Sequence, residues 1–501
     1  MNHMPRKTIL FILMVVLPGV AAHAEGSSHV VPVDPWMITP FVLLLLSIAI
    51  APFINRHWWE YNYPYVSVGL GLVTVGYYIF GIQNLGRMLH TAMEYFSFIA
   101  LIGSLFVVAG GIHIRIKGKS KPLANVFLLA VGGVIANIVG TTGASMILIR
   151  PYIRVNRYRI KPFHIVFFIF VVSNMGGALT PIGDPPLFLG YLKGIPFFWV
   201  AEHLWFKWAI GMVGVLATFY AIDLISFHRL PAHTRHSAEG AAEEGEAEGV
   251  QNVFFLVMIL ISVFITHPVF LRELIMLVAA AGSYVTTRKE IHVKNEFNFL
   301  PIKEVAILFL GIFATMVPAL DWLELNAGTI GIQSAGQFYW STGLLSSFLD
   351  NAPTYLNFLS AAIGLFVSQE VVFQVQHLIQ TQGADLAQIT GSYADEIKNT
   401  YMTLLKYHGD LVVNGNVPID DINVSYLIGN HNLYIQAISI AAVFFGACTY
   451  IGNGPNFMVK SIAEQSGVNC PSFFGYVVKY TIPVLLPFFF MIWFLFFRGV
   501  A

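Results

Sequence analysis

Two aspartates stand where a charge is expensive. Asp184 lies in Ser173-Asn-Met-Gly-Gly-Ala-Leu-Thr-Pro-Ile-Gly-Asp-Pro-Pro-Leu187, and Asp350 opens Asp350-Asn-Ala-Pro-Thr354, each inside or beside a long apolar stretch. A carboxylate near the centre of a bilayer costs roughly 3 kcal/mol on insertion scales and more in simulation, so such a group ordinarily marks function. Two chemistries suit it: ligating sodium as a transported metal ion, or carrying a proton. Competition of Na⁺ and H⁺ for one carboxylate is the simplest mechanism of an antiporter. The structural alternative is a helix cap, because Asp and Asn are strong N-caps and interrupted helices have ends to cap.

Polar residues accompany both aspartates. Asn137, Thr141 and Thr142 fall in Ala136-Asn-Ile-Val-Gly-Thr-Thr142, and Asn174 and Thr180 in the Asp184 phrase. Asn351 and Thr354 follow Asp350, while Thr449 and Asn453 lie in Gly446-Ala-Cys-Thr-Tyr-Ile-Gly-Asn-Gly-Pro455. Glycine admits unusual backbone angles and proline removes a helix donor, so these phrases stop helices in mid-membrane. The freed backbone groups, with Asn and Thr side chains, then replace the water of an ion or of an organic anion. For Asn137, Thr180, Thr449 and Asn453 a purely structural role, satisfying local backbone, stands open beside ligation.

Such residues need a membrane around them, and composition supplies one. Of 501 residues 56% are hydrophobic and 11% charged, against roughly 25% charged in a soluble domain. The formal net charge is zero, which gives no reason to expect a nucleic-acid partner; the expected partners are membrane lipid and small solutes. Cys448 and Cys470 form neither a metal pattern nor a disulfide framework. No resident cofactor and no enzymatic activity are expected, sodium entering only as a transported or coupling ion.

Residues 1–24 read as a cleavable signal peptide, with Arg6 and Lys7, an apolar run from Ile9 to Val20, and Ala22-His-Ala24 as the cleavage site. That implies a bacterial inner-membrane protein with a periplasmic N-terminus. Apolar runs of spanning length then appear at Trp36–Ile54, Tyr63–Gln83, Glu94–Ile114, Pro122–Ile149, Phe163–Pro181 and Val200–Ile225. After a polar linker at 228–251 come Asn252–Thr266, Phe270–Thr286, Glu304–Leu320, Tyr339–Leu365, Tyr434–Ile451 and Phe474–Phe497. Basic loops are expected in the cytoplasm. Arg115, Lys117, Lys119 and Lys121 precede the fourth run, and Arg150, Arg154, Arg157, Arg159 and Lys161 follow it. Both clusters stay on one side only if that run is a re-entrant hairpin. Arg288, Lys289, Lys294 and Lys303 make the corresponding run of the second half, Tyr339–Leu365, enter from the other side.

The expected fold is therefore an all-α membrane protein of two inverted repeats, 25–227 and 252–501, with a periplasmic insertion at about 367–431 that has room for a surface helix such as Ala394–Lys406. Each repeat has three helices, a hairpin, a broken helix and a final helix. Gly177-Ala-Leu-Thr-Pro-Ile-Gly-Asp-Pro-Pro186 lies without a gap on Gly446-Ala-Cys-Thr-Tyr-Ile-Gly-Asn-Gly-Pro455, placing Asp184 against Asn453. At the tips Ala136-Asn137 is laid on Asp350-Asn351. Asp321, Glu324 and Glu94 read as interfacial, and His164 and His228 as solvated.

The Gly140-Thr-Thr-Gly-Ala-Ser-Met146, Asp184 and Asp350 phrases resemble the ion transporter superfamily, which includes D-type sodium/proton antiporters and citrate and dicarboxylate carriers. The nearest likeness is to a bacterial group described both as citrate transporters and as sodium:proton antiporters. The resemblance implies an elevator-type carrier, commonly a homodimer. D-type antiporters have an Asp-Asn pair in the first hairpin, where this chain has Ala136-Asn137, and hydroxyl residues after the Asp equivalent to Asp184, where it has Pro185-Pro186. Citrate-type carriers hold carboxylates and sodium with Asn and Thr at the tips, which carries over to Asn137, Thr141, Thr142, Asn351 and Thr354. Na⁺/H⁺ antiport is the leading expectation and sodium-coupled organic-anion transport the second. An intramembrane aspartyl protease built on the two aspartates is remote, since its motif needs a glycine where Pro181 stands.

Overall fold

The computed structural model describes residues 31–115, 120–231, 246–265 and 268–499; the expected signal peptide lies outside them. Helix dominates, and among the described residues eight helices are long and apolar enough to cross a membrane. Six of the helices pack as one group: α1 (Thr39–Ile54), α2 (Arg56–Gly76, continued as a π-helix to Gly81), α3 (Leu85–Gly110), and, from the second half, α8 (Asn252–Ser262), α9 (Leu271–Thr286) and α10 (Leu300–Asn326). Between the halves a two-stranded ribbon pairs β1 (His113–Arg115) with β2 (Glu246–Glu248), so the described end of the expected linker is folded against the first half.

Small and hydroxyl residues let these helices approach. Ser67 Oγ donates to Ile307 O at 2.8 Å, and a Cβ on Gly311 would lie 2.6 Å from Ser67 O. Close backbone contact of this kind drives helix association where lipid offers no hydrophobic gain. Helix α3 begins nine residues before its sequence boundary because its polar first turns are buried by partners. Asn84 caps it through Arg87 N, Arg87 Nε and Nη2 reach Asp321 Oδ1 at 3.0 and 2.7 Å, and Tyr78 Oη donates to Asp321 Oδ2 at 2.7 Å. Asp321 is thus fully buried in an ion pair rather than interfacial. Glu94 likewise meets Lys193 Nζ at 2.8 Å.

The second group holds the interrupted elements. Helix α4 (Pro122–Val155) is a hairpin. Asn125 and Asn156 exchange side-chain hydrogen bonds at 2.9 Å, although a straight helix would hold two residues that far apart in sequence about 46 Å from each other. The chain reverses at Gly140, where φ is 77°; only glycine takes that conformation without strain. A broken helix follows, α5 (Pro162–Val171) and α6 (Pro185–Leu192), then α7 (Trp199–His228). The second hairpin is α11 (Ala335–Phe348) and α12 (Asn351–Phe366), whose bases meet through the Phe338 and Phe366 rings. A second broken helix, α15 (Ile419–Phe445) and α16 (Gly454–Gln465), precedes the last element, Phe473–Phe496, which we call α17.

The hairpins enter this group from opposite ends of α7. The base of the first is tied to Asp223 near the α7 C-terminus, through Asn125 and Arg159. His164 joins that buried knot, 3.2 Å from Asp223 Oδ1, and is not solvated as expected. The base of the second hairpin packs on Trp493 and Phe497, beside Phe496 and the first turns of α7.

The expected insertion folds as α13 (Gln369–Gln380) and α14 (Ala394–Val413). It grips the α6–α7 loop, where His408 Nε2 lies 3.1 Å from Gly194 O and Lys193 Nζ lies 3.1 Å from Asp420 Oδ2. Burial pushes the His408 imidazole below its ordinary range, partly offset by the Gly194 hydrogen bond. A histidine whose folded pKa is depressed carries no penalty above its unfolded value of about 6.5; the penalty grows as pH falls through that value and is complete below the folded one. His408→Gln is therefore expected to flatten the acid side of the melting-temperature profile between about pH 7 and pH 5. An acid slope equal to that of the wild type would exclude this contribution.

Candidate functional site

Asp184 is where the interrupted elements converge. Thr141 Oγ1 donates to its Oδ1 at 2.7 Å, Asn453 Nδ2 to the same oxygen at 3.0 Å, and Asn351 Nδ2 to Oδ2 at 2.6 Å. One partner comes from each hairpin tip and one from the second broken helix, and the carboxylate is 1% exposed. The aspartate occupies the N-cap position of α6, yet its side chain makes no cap hydrogen bond. Asp350 does the reverse: its Oδ1 accepts from Ala352 N at 3.0 Å and caps α12.

The same brace sets each tip. Thr180 Oγ1 donates to Asn137 O and Thr449 Oγ1 to Ser347 O, both at 2.6 Å, and each threonine oxygen accepts from a glycine N, Gly183 or Gly452, at 3.1 Å. Both accepting carbonyls lie just ahead of a tip, Gly140 or Asp350. This corrects the register of the tip alignment: Asn137 corresponds to Ser347, and Thr141, rather than Asn137, corresponds to Asn351. Chain reversal, not the shared Asn, fixes the correspondence.

The remaining candidate residues make the following bonds. Asn137 Nδ2 donates to Gly176 O at 2.6 Å and its Oδ1 accepts from Leu179 N at 2.9 Å, stapling the hairpin to the broken helix. Thr180 and Thr449 are braces, and Thr354 Oγ1 returns to Asp350 O at 3.0 Å. Asn174 lies inside the site: its Oδ1 accepts from Asn453 at 3.2 Å and its Nδ2 donates to Asn456 Oδ1 at 2.6 Å. Asn456, fully buried and bound to Gly446 O and Thr449 O at 2.8 Å, escaped the sequence reading because it stands one residue beyond the aligned window.

Four helix starts surround the carboxylate: the second arm of α4 from Thr141, α6 from Pro185, α12 from Asn351 and α16 from Gly454. Each brings the positive end of a helix dipole toward the carboxylate, a setting that favours anions, while Pro185 and Pro186 carry no N–H and Thr141 N and Ala352 N are bonded to Gly183 O and Asp350 Oδ1. An oxygen of the kind that ligates cations is also present. Asn351 is fully buried and its Oδ1 has no hydrogen-bond partner, so one carbonyl oxygen stands free beside a carboxylate. A cavity of ≈ 30 Å³ lies against Asp184, lined by Gly140, Thr141, Thr142, Ile182, Pro185 and Phe188 among others. It takes a water or a small ion; a tricarboxylate needs the tips to separate.

Helical spans, interrupted helices and a buried polar centre where its two halves meet define a multi-pass membrane protein. The sequence profile of the family described as "Putative citrate transport" matches residues 30–497, and the chain belongs to that family. No curated protein matches the chain.

Proposed function

We propose that the protein is a secondary carrier that moves citrate or a related organic anion with sodium. The convergence of four helix N-termini on Asp184, beside the free Asn351 Oδ1, carries this reading: the dipoles favour a carboxylate-bearing cargo and the two side-chain oxygens favour a coupling cation. Family membership supports the anion over Na⁺/H⁺ antiport, the leading expectation from sequence. The two halves act as inverted repeats, and the second group of helices moves against the first to expose Asp184 alternately to either side.

Purified protein in sealed vesicles tests this. An inward sodium gradient is expected to drive accumulation of labelled citrate, and collapse of that gradient to stop it. Sodium-driven internal alkalinisation with no citrate uptake would overturn the reading in favour of antiport.

A further inference from the structure

Lys193, at the junction of α6 and α7, holds two carboxylates that belong to different parts of the molecule. Its Nζ lies 2.8 Å from Glu94 Oε1, on α3 of the first group, and 3.1 Å from Asp420 Oδ2, in the first turn of α15 in the second group. The Lys193 and Glu94 side chains are 11% and 12% exposed. Glu94 has a further neighbour on its own helix, His90 Nδ1 at 3.7 Å. The same loop region touches the first group again through Tyr191 Oη, which donates to Val263 O at 2.8 Å.

A second ion pair joins the two groups near the base of the first hairpin. Arg150 Nη2 meets Glu296 Oε2, ahead of α10, at 2.8 Å, and Glu296 is well exposed. The two links differ in what parting them costs. Water takes over both charges of an exposed pair, so little is lost. Parting a buried pair ordinarily leaves an uncompensated charge. Around Lys193 it does not. Once drawn apart from Glu94, Lys193 keeps Asp420, and Glu94 keeps the His90 imidazole, a hydrogen-bond donor within reach.

We propose that Lys193 is a latch between the two groups, giving up a shared carboxylate for a private one when the second group moves. This rests on the movement given under Proposed function. In this structure the ammonium bridges Glu94 and Asp420 and holds the groups together. When the second group moves, Lys193 and Asp420 travel as a pair while Glu94 stays behind with His90. No buried charge is then stripped of every partner. Glu94 is the catch, and Asp420 is the positioning residue that lets the latch open.

Two conservative variants test this because each leaves Lys193 with one carboxylate. A structural role alone gives both the same loss of melting temperature and the same loss of flux. The latch gives similar melts and different fluxes. Glu94→Gln opens the catch and is expected to take up labelled citrate with sodium at or above the wild-type rate. Asp420→Asn leaves the ammonium bare whenever it parts from Glu94, and uptake is expected to fall at least about tenfold. Losses of equal size, or a slower Glu94→Gln than Asp420→Asn, would overturn the proposal. A cross-link gives a second reading. With Cys448 and Cys470 replaced by alanine, Glu94→Cys and Lys193→Cys are bridged by a short reducible thiol reagent in the vesicles. The bridged protein is expected to take up no citrate and to recover when the bridge is reduced, whereas undiminished flux in fully bridged protein overturns the latch. Should the wild type show sodium-driven alkalinisation in place of citrate uptake, the cargo assignment alone fails, and the same variants and bridge are read on proton flux.

Discussion

Asp184→Asn is expected to abolish sodium-dependent uptake while the protein still folds. The amide keeps the shape but replaces one acceptor oxygen with a donor, facing Thr141, Asn351 and Asn453, which all donate to that position. One clash of donors costs about 1–3 kcal/mol, within what a protein of this size tolerates. Loss of the charge removes the group that a coupling cation neutralises, and uptake is expected to fall at least about 100-fold, roughly 3 kcal/mol of lost stabilisation. Asp350→Asn supplies the contrast. Asn caps a helix about as well as Asp, so if capping α12 is the whole role of Asp350, this variant is expected to transport within about threefold of wild type. Equal inactivity of the two variants would place both carboxylates in the cation site. Sodium dependence and size-exclusion profiles of both proteins make the comparison.

Arg87→Ala is expected to have the largest effect on stability. It leaves Asp321, fully buried between α3 and α10, with only the Tyr78 hydroxyl. Breaking a buried ion pair from one side costs about 3–5 kcal/mol, because the survivor is an uncompensated charge. The double variant Arg87→Met with Asp321→Leu removes both charges and is expected to recover most of that loss. Thermal melts of the detergent-solubilised proteins decide it: a double variant as unstable as the single would mean that the geometry of the pair, not its charge, holds the helices.

The legible part of this molecule was what hydropathy and glycine patterns encode. Two basic loops around Pro122–Ile149 demanded a hairpin, and Gly140 supplies its reversal. The gapless alignment of the Asp184 and Asn453 phrases reported a shared brace, Thr180 and Thr449 each bonding a tip carbonyl. The sequence misled where polar groups are buried by partners far along the chain. Arg87 and Asp321 are 234 residues apart, so α3 appeared to start late and Asp321 to lie at an interface. The tip alignment failed for a different reason: matching Asn137 to Asn351 followed residue type, whereas the fold matches positions by distance from the chain reversal.

The three hydrogen bonds on Asp184 come from both halves of the chain and from both hairpin tips. Whatever competes for that carboxylate weakens all three together. By linkage, a ligand that favours the freed carboxylate must loosen the Thr141 and Asn351 tips alike, and loosening either tip must change the ligand's affinity by the same factor. If the centre binds cargo as proposed, its occupancy and the state of the two hairpin tips are thermodynamically coupled, so that neither tip loosens without changing affinity at the centre.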